Sequence, residues 1–433
     1  MTILLYLLGV LLFALGVAAS IGLHELGHMV PAKKFGVKVT QYFVGFGRTV
    51  WSTRRGETEY GLKAVPLGGY VKLVGMLPPA RGEDPTLVRK SNTGMFTQLI
   101  SDARAAEYEL VQPEDEPRLF YRLPWWKKVI VMAGGPTVNL VIAFVLFAGI
   151  FGIHGTYEPT TTVGVVSQCV VPAQERDRAC TPSDPRSPAA VAGLRPGDRI
   201  VSFNGTQIND WLQLVTLIRA NENGKAVIGY ERDGQLHTAS TNTTVKSVQS
   251  LSDQTKYLQA GFLGVESTAV RQRHGVLYTL DQMGSMTWGT VQALGTLPVK
   301  VWGVAKAVVG AEPRAQDSPV SVVGAGRVAG QVASDSASPL AERIVFLISL
   351  LAGLNLFVGM FNFIPLLPLD GGHIAGALFE GARRGVARLR GRPDPGFVDV
   401  AKMLPVAYAM AAVLLLMSVV LIAGDIVAPI SIS

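Results

Sequence analysis

His24, Glu25 and His28 form an H-E-x-x-H sequence at the end of an apolar segment. In a helix, the two histidines are four residues apart and share one face, so both imidazoles can bind one metal ion. Glu25 lies beside the first histidine and can act on a water molecule held there. A chance match or two packed core histidines would give the same letters, but ionisable groups at the end of an apolar span are costly and indicate function.

A catalytic metal site needs three protein ligands and one open position, so a third ligand is expected elsewhere. The segment from Asn362 to His373 contains two prolines and two glycines, which interrupt a membrane helix. Irregular backbone is tolerated at membrane depth only where protein buries it or water fills a cavity. Asp370 lies at this interruption, and its carboxylate would complete a His-His-Asp site for Zn2+.

Four neighbouring residues are candidates for supporting roles. His373 is a rival ligand, but a fourth protein ligand would close the site, so we expect it to support the site rather than bind the metal. Asn362 either hydrogen-bonds the substrate backbone or oxyanion, or makes an interhelical hydrogen bond. Asn139 follows small residues that allow close helix approach, and we expect it to brace the site. Pro365 belongs to the interrupted segment.

The composition indicates a membrane protein, since 48% of the residues are hydrophobic and 16% are charged. Four segments approach the ~20 apolar residues that a bilayer requires. The first segment lacks a basic n-region and an A-x-A-like cleavage site, so it is interpreted as a span rather than a signal peptide. The candidate spans run from Ile3 to Val30, Val129 to Ile153, Ile344 to Leu367 and Leu404 to Val427.

The net charge of +7 does not indicate a nucleic-acid partner, because the basic residues flank the spans. This is the positive-inside pattern, with Trp125 and Trp126 as interfacial anchors. It predicts a multi-pass protein of the cell (cytoplasmic) membrane, with the 31–128 and 381–403 loops in the cytoplasm. The 154–343 loop is then extracytoplasmic, and the metal site lies near the cytoplasmic face.

Residues 160–268 of the outer loop resemble a bacterial PDZ domain. The resemblance rests on the run from Ser187 to Gly205, with its A-G-L-x-x-G-D and Asn-Gly segments. PDZ domains bind extended chains by strand addition beside a helix. We expect that groove between the strand near 163–166 and the helix at 210–219; a purely steric role stays open. Cys169 and Cys180 form either a disulfide or two buried thiols.

The H-E-x-x-H span, the PDZ-like loop and the N-x-x-P-x-x-x-L-D-G segment together resemble the site-2 protease family of intramembrane zinc metalloproteases. Glycine-rich strands at 42–74 resemble its membrane-reentrant β-hairpin, and the paired cysteines are similar to its actinobacterial branch. The resemblance implies His24, His28 and Asp370 as zinc ligands, Glu25 as the catalytic base and Asn362 as a substrate-binding or oxyanion group. It also implies single-span membrane substrates such as anti-sigma factors, cut after an upstream site-1 protease has trimmed them.

The predicted fold is an α-helical polytopic membrane protein with about four transmembrane helices, a membrane-associated β-hairpin region and one inserted extracytoplasmic PDZ (α+β) domain. The rival functions are a zinc transporter, which would distribute polar groups along a path, and a PDZ scaffold lacking a catalytic group. The expected segments are span one (1–30), the hairpin region (31–76), a polar, mobile cytoplasmic insert (77–128), span two (129–153), the PDZ domain (160–268), an amphipathic interfacial region or core helix of the outer domain (276–340), span three (344–380), a basic cytoplasmic loop (381–403) and span four (404–427).

Overall fold

The computed structural model describes residues 2–78, 100, 102–104, 111–171, 178–249 and 257–430. The chain forms two compact units: Met1–His154 with Gly275–Ser433, and Gly155–His274. The principal α-helices are α1 (Thr2–Lys34), α2 (Trp125–Gly149), α3 (Pro188–Val191), α4 (Trp211–Ala220), α5 (Val276–Val308), α6 (Val322–Ser334), α7 (Leu340–Phe361), α8 (Asp370–Leu389) and α9 (Leu404–Val427).

Ten β-strands have defined bounds within the described residues. The first unit contains β1 (Val39–Arg55) and β2 (Thr58–Leu73), and the second unit contains the others. These are β3 (Thr156–Val166), β4 (Arg199–Phe203), β5 (Thr206–Gln207), β6 (Lys225–Arg232), β7 (Gln235–Asn242), β8 (Thr244–Gln249), β9 (Tyr257–Phe262) and β10 (Val265–Gln272).

Four helices of the first unit are long and apolar enough to cross a membrane, which agrees with the four predicted spans. They are α1, α2 with the π-helical turn that extends it to His154, α7, and α9 with the preceding turn from Val400. Many apolar side chains of these helices remain exposed, as expected for surfaces that face lipid. The chain is therefore a multi-pass membrane protein.

The prediction of one span over 344–380 is wrong. Helix α7 ends at Phe361, and α8 is a separate helix that begins at Asp370 and continues to Leu389. Pro365 and Pro368 lie in the segment between the two helices and have no backbone N–H to donate, so the helix cannot continue through it. The predicted basic loop at 381–403 correspondingly begins inside α8.

The hairpin region folds into a small bent antiparallel sheet. Tyr42 pairs with both Val71 and Tyr60, and residues 41–44 lie between the two halves of β2 in this way. Gly45 and Gly47 have φ values of +94° and +86°, which an L side chain rarely adopts, and they bend β1 back along β2. The predicted strands are present, and α1 extends to Lys34 before they begin.

Part of the insert predicted as mobile is packed. Residues 79–99, 101 and 105–110 lie outside the described residues, but Leu119, Phe120 and Tyr121 are buried. Phe120 N donates to Val74 O at 2.9 Å, which attaches this segment to the end of the β1–β2 sheet. The polar composition of the insert predicted mobility, whereas the burial of these aromatic and aliphatic residues holds this part of it in place.

The 276–340 region contains two helices that both belong to the first unit, so the alternative of a core helix in the outer domain is wrong. Helix α5 is 33 residues long and largely exposed, and its interfacial position stays a prediction. Helix α6 packs against α1, where a Cβ at Gly9 would lie 2.4 Å from Ala333 Cβ. Its small residues allow this close approach.

The second unit is an α+β fold around one hydrophobic core. Its main sheet has the order β10-β3-β4-β6-β7, with β5 beside β4 and a separate β8–β9 hairpin. Alternate β6 residues Ala226, Ile228 and Tyr230 point into the core, as the two-residue period of a strand requires. Asp210 caps α4 by accepting from Gln213 N at 2.8 Å.

The expected groove beside residues 163–166 is displaced in the structure. β10 pairs with that part of β3, with Val265 opposite Val166 and Ser267 opposite Val163. β10 is consequently the edge strand, and a cavity of about 920 Å³ separates it from α4. The disulfide between Cys169 and Cys180 forms, and both cysteines line this cavity.

We predict that Asp198→Asn loosens the second unit at neutral pH. Burial alone would raise the pKa of the Asp198 carboxyl, but hydrogen bonds from the Arg232 guanidinium and Arg195 N lower it below its usual range. Because the folded-state pKa is lowered, the ionised carboxylate stabilises the unit at pH values above the unfolded-state pKa of about 3.9. This stabilisation is lost as the pH falls through the folded-state pKa. Amide hydrogen exchange of β4 and β6 in Asp198→Asn should show that the free energy of opening is lower by about 1.5–3 kcal/mol at pH 7.

The same measurement on Glu231→Gln is the control, because the Arg199–Glu231 pair is more exposed. We expect a loss below about 1 kcal/mol there. Equal losses in the two variants at pH 7, or an Asp198→Asn effect that grows below pH 4, would contradict the prediction.

Candidate metal centre

Helix α1 places the two motif histidines on one face, one turn apart. His24 Nε2 and His28 Nε2 lie 3.2 Å from each other. Asp370 Oδ2, at the first residue of α8, lies 3.4 Å from His24 Nε2 and 3.3 Å from His28 Nε2. The structure therefore brings three potential donor atoms from two separate helices together, within 3.4 Å of one another.

These distances fit a zinc ion. Ligand atoms arranged tetrahedrally at zinc–ligand distances of about 2.0–2.1 Å are about 3.3–3.4 Å apart. The three measured separations lie within about 0.2 Å of that value. A zinc ion held by two imidazole nitrogens and one carboxylate oxygen would have three protein ligands, the number found in catalytic rather than structural zinc sites.

The backbone of α2 approaches α1 closely beside these ligands. A Cβ at Gly134 would lie 1.9 Å from Gly27 O, so no side chain fits at that contact. A Cβ at Gly135 would lie 2.3 Å from His28 Nε2 and 2.7 Å from His24 Nε2. Glycine at 135 therefore provides the space that the two imidazole edges occupy.

A backbone carbonyl of α2 fixes the tautomer of His28. His28 Nδ1 lies 2.8 Å from Val131 O, and a carbonyl oxygen only accepts, so Nδ1 carries the proton. Nε2 is then the atom with the lone pair, and it faces His24 and Asp370. Such a hydrogen bond orients the ring and strengthens the nitrogen as a metal ligand.

A tight turn between α7 and α8 positions Asp370. Gly371 N donates to Asn362 O at 2.7 Å, which closes the loop between the two helices. A Cβ at Gly371 would lie 2.1 Å from Ile364 O, and a Cβ at Gly372 would lie 2.6 Å from Leu367 N. The two glycines after Asp370 therefore allow the loop to pack against the start of α8.

A buried ion pair holds the middle of α8 against α2. Lys128 Nζ donates to Glu380 Oε2 at 2.8 Å, and the two side chains are 8% and 2% exposed. Val398 N donates to the same oxygen at 3.2 Å. Because buried charges are costly without partners, this pair fixes how α8 lies beside α2.

Glu25 lines a cavity of about 340 Å³ together with two of the potential ligands, His24 and Asp370. The β1–β2 sheet covers this place, since a Cβ at Gly69 would lie 3.0 Å from Glu25 Cγ and 2.9 Å from Ile21 Cγ2. The cavity thus brings together the Glu25 carboxylate, two of the three potential metal ligands, His24 and Asp370, and the strand backbone at Gly69. A metal ion bound by these ligands would supply the chemistry that polarises a carbonyl group and activates a water molecule.

The other predicted residues divide between the cavity and its surroundings. Asn139 and Asn362 line it, and Asn139 Oδ1 is buried without a hydrogen-bond partner among the described residues. His373 is absent from the group of close donor atoms found in the part of the chain that the structure describes. Pro365 is exposed in the loop.

Sequence reasoning missed Asn355 and Ser20, which also line the cavity. Asn355 lies in α7 seven residues before Asn362, which follows the last residue of α7 and keeps a helical backbone. Seven residues are about two helical turns, so both residues lie on the same side of the helix. A polar residue within an apolar span was the available signal.

Comparisons with known proteins found a matching family model and several similar metalloproteases. A family model described as peptidase family M50 matches residues 12–393. The zinc metalloprotease Rip1 of Mycobacterium tuberculosis (strain H37Rv) is 34% identical, over 98% of this chain and 99% of that protein. Rip1 of Mycolicibacterium smegmatis is 32% identical over 98% of both chains, and the metalloprotease MmpA of Caulobacter vibrioides is 27% identical over 86% of this chain and 85% of its own length.

We predict that Gly135→Ala lowers zinc affinity by at least tenfold, because the added methyl would displace both imidazoles. Losses of about 10–100-fold are usual when the surroundings of metal ligands are disturbed. Zinc titration against a chelator of known affinity, on purified protein in detergent, measures the change. Gly149→Ala in the same helix is the matched control, since its Cβ would meet nothing within 4 Å. Equal zinc affinities for the two variants would refute this role of Gly135.

Proposed function

The chain belongs to peptidase family M50, the site-2 protease family, and is a zinc metalloprotease; from this premise we propose that it cleaves single-span membrane proteins within the bilayer. The observation that carries the proposal is the convergence of His24, His28 and Asp370 from two helices of a membrane unit. A zinc transporter is not favoured, because one compact group rather than a polar path is present in the described residues.

The proposed zinc ligands are His24 Nε2, His28 Nε2 and Asp370 Oδ2, and their mutual distances support the assignment. When bound, zinc supplies Lewis acidity, which lowers the pKa of water toward neutrality and polarises a carbonyl oxygen. Val131 O keeps the His28 ring in the tautomer that leaves Nε2 free. His373 is proposed to support the site without binding the metal.

Glu25 is proposed as the general base. Its carboxylate takes a proton from the attacking water and later passes it to the leaving amine. Asn362 and Asn139 line the same cavity, so their amides are suited to hold the substrate carbonyl or backbone beside Glu25. The sheet that covers Glu25 helps to exclude bulk water, which strengthens each of these polar interactions.

The cleavage position is proposed to lie near the cytoplasmic face. His24 is 22 residues after Thr2, or about 33 Å along α1, which is close to the ~30 Å thickness of the hydrocarbon core. The basic residues after α1 and in α8 support a cytoplasmic location for this end. A substrate helix must unwind there, since an intact helix hides its carbonyls in its own hydrogen bonds.

The second unit is proposed to be an extracytoplasmic PDZ domain, and the substrates are proposed to include anti-sigma factors trimmed first by a site-1 protease. The edge strand β10, the capped helix α4 and the cavity between them support this assignment. An extended chain would add to β10 rather than to β3, whose neighbouring positions are already paired.

We predict that Glu25→Gln retains zinc but cleaves a single-span model substrate at least ~100-fold more slowly, the usual scale for loss of a general base. Glutamine keeps the shape of the side chain but cannot take the proton. Turnover assays on purified wild-type and variant protein, each with its zinc content measured, make the comparison. Near-normal turnover by Glu25→Gln would exclude this role.

We also predict that His24→Ala, His28→Ala and Asp370→Ala each lose zinc, because each removes one of three ligands. His373→Ala is the matched control, and it should retain about one zinc per chain. Metal analysis of the four purified variants tests the assignment. Zinc loss in His373→Ala together with retention in Asp370→Ala would show that the third ligand is wrong.

A further inference from the structure

Asn355 is a buried amide with one unused hydrogen-bonding group. It lies in α7, is 2% exposed, and its Oδ1 has no partner among the described residues. Its Nδ2 is fully engaged, donating to Leu351 O at 2.8 Å and to Ser20 Oγ at 3.0 Å. A buried acceptor without a donor is unfavourable, so its persistence calls for an explanation.

The neighbouring atoms determine which way the amide points. Leu351 O is a carbonyl and accepts only, so the atom facing it must be the nitrogen. Ser20 Oγ donates its proton to Gly16 O at 2.9 Å, so toward Asn355 it acts as an acceptor as well. Reversing the amide would set oxygen against oxygen at Leu351, which leaves Oδ1 as the atom without a partner.

The cavity next to Asn355 is the one that Glu25 and two of the proposed zinc ligands line. Asn355 and Ser20 line it together with His24, Glu25 and Asp370. Ser20 lies one helical turn before His24 on α1, so the amide is held about one turn from the proposed zinc ligands. The unused acceptor is therefore close to where the scissile segment would lie.

We propose that Asn355 is a substrate-binding residue whose Oδ1 accepts a hydrogen bond from a backbone N–H of the unwound substrate. This rests on the proposed function, because it requires a peptide backbone in the cavity. Unwinding releases N–H groups in apolar surroundings, where each needs an acceptor. The ligand recognised is thus an extended main chain, which explains how the site selects an unwound segment rather than a side-chain sequence.

The test uses a synthetic single-span peptide that contains a central Gly-Gly pair and a fluorophore–quencher pair, in detergent micelles. A series of analogues replaces one backbone amide at a time with an ester, which removes a single N–H near the cleavage position. For the wild-type protein, one analogue should lose about 3- to 10-fold in kcat/KM, the range for one neutral hydrogen bond. Asn355→Leu should cleave the all-amide peptide more slowly by a similar factor.

The decisive comparison is between the two proteins on the sensitive analogue. Asn355→Leu should cleave that ester and the all-amide peptide equally well, because the acceptor for the missing N–H is gone. Asn355→Ala, a second variant, should behave the same way, and both should retain wild-type zinc content. Ser349→Ala is the matched control on α7, since Ser349 bonds Phe346 O of its own helix and does not line the cavity. It should match the wild type on every analogue.

Two results would overturn the inference: an ester penalty of the same size in wild type and Asn355→Leu, or unchanged cleavage of the all-amide peptide by both Asn355 variants. Glu25→Gln, run in parallel, separates this failure from a failure of the proposed function. If Glu25→Gln is inactive while the Asn355 variants behave as wild type, only the role of Asn355 falls. If the wild-type protein leaves the all-amide peptide intact, both proposals fall.

Discussion

The candidate metal centre depends on the close approach between the backbones of α1 and α2. Gly27 and Gly134 meet where no side chain fits, and Gly135 leaves the space that two imidazole edges occupy. The same approach brings Val131 O within 2.8 Å of His28 Nδ1. Helix packing in lipid gains little from the hydrophobic effect, so small residues that admit backbone contact are what hold such a pair together. The same backbone contact therefore determines how α1 packs against α2 and how the His28 ring is oriented.

Features with a local cause could be predicted from the sequence. The spacing of His24 and His28 follows from the helical period, and Asp370 was identified because prolines and glycines interrupt an apolar span around it. The four spans follow from the lengths of their apolar runs. The structure brings these three side chains together, while their role as zinc ligands stays a proposal.

Features that depend on contacts between distant segments could not be predicted. The groove was assigned to β3 because strand order depends on pairings such as Val265 with Val166, 99 residues apart, which no local pattern records. The carbonyl of Val131 carries no side-chain signal at all. Asn355 is visible as a polar residue in a span, but only its bonds to Ser20 and Leu351 reveal which atom is unused.

Helix α8 connects the candidate metal centre to the loop that follows it. It carries Asp370 at its first residue and Glu380 ten residues, or about 15 Å, further along, where Glu380 accepts from Lys128 Nζ and Val398 N. A movement of the segment around Val398 would therefore be transmitted to α8, the helix that carries the Asp370 carboxylate. By thermodynamic linkage, any molecule that shifts this segment and changes zinc affinity has its own affinity changed by zinc by an equal factor. A ligand that bound the loop after α8 and moved the helix would thus act on zinc binding from about 15 Å away.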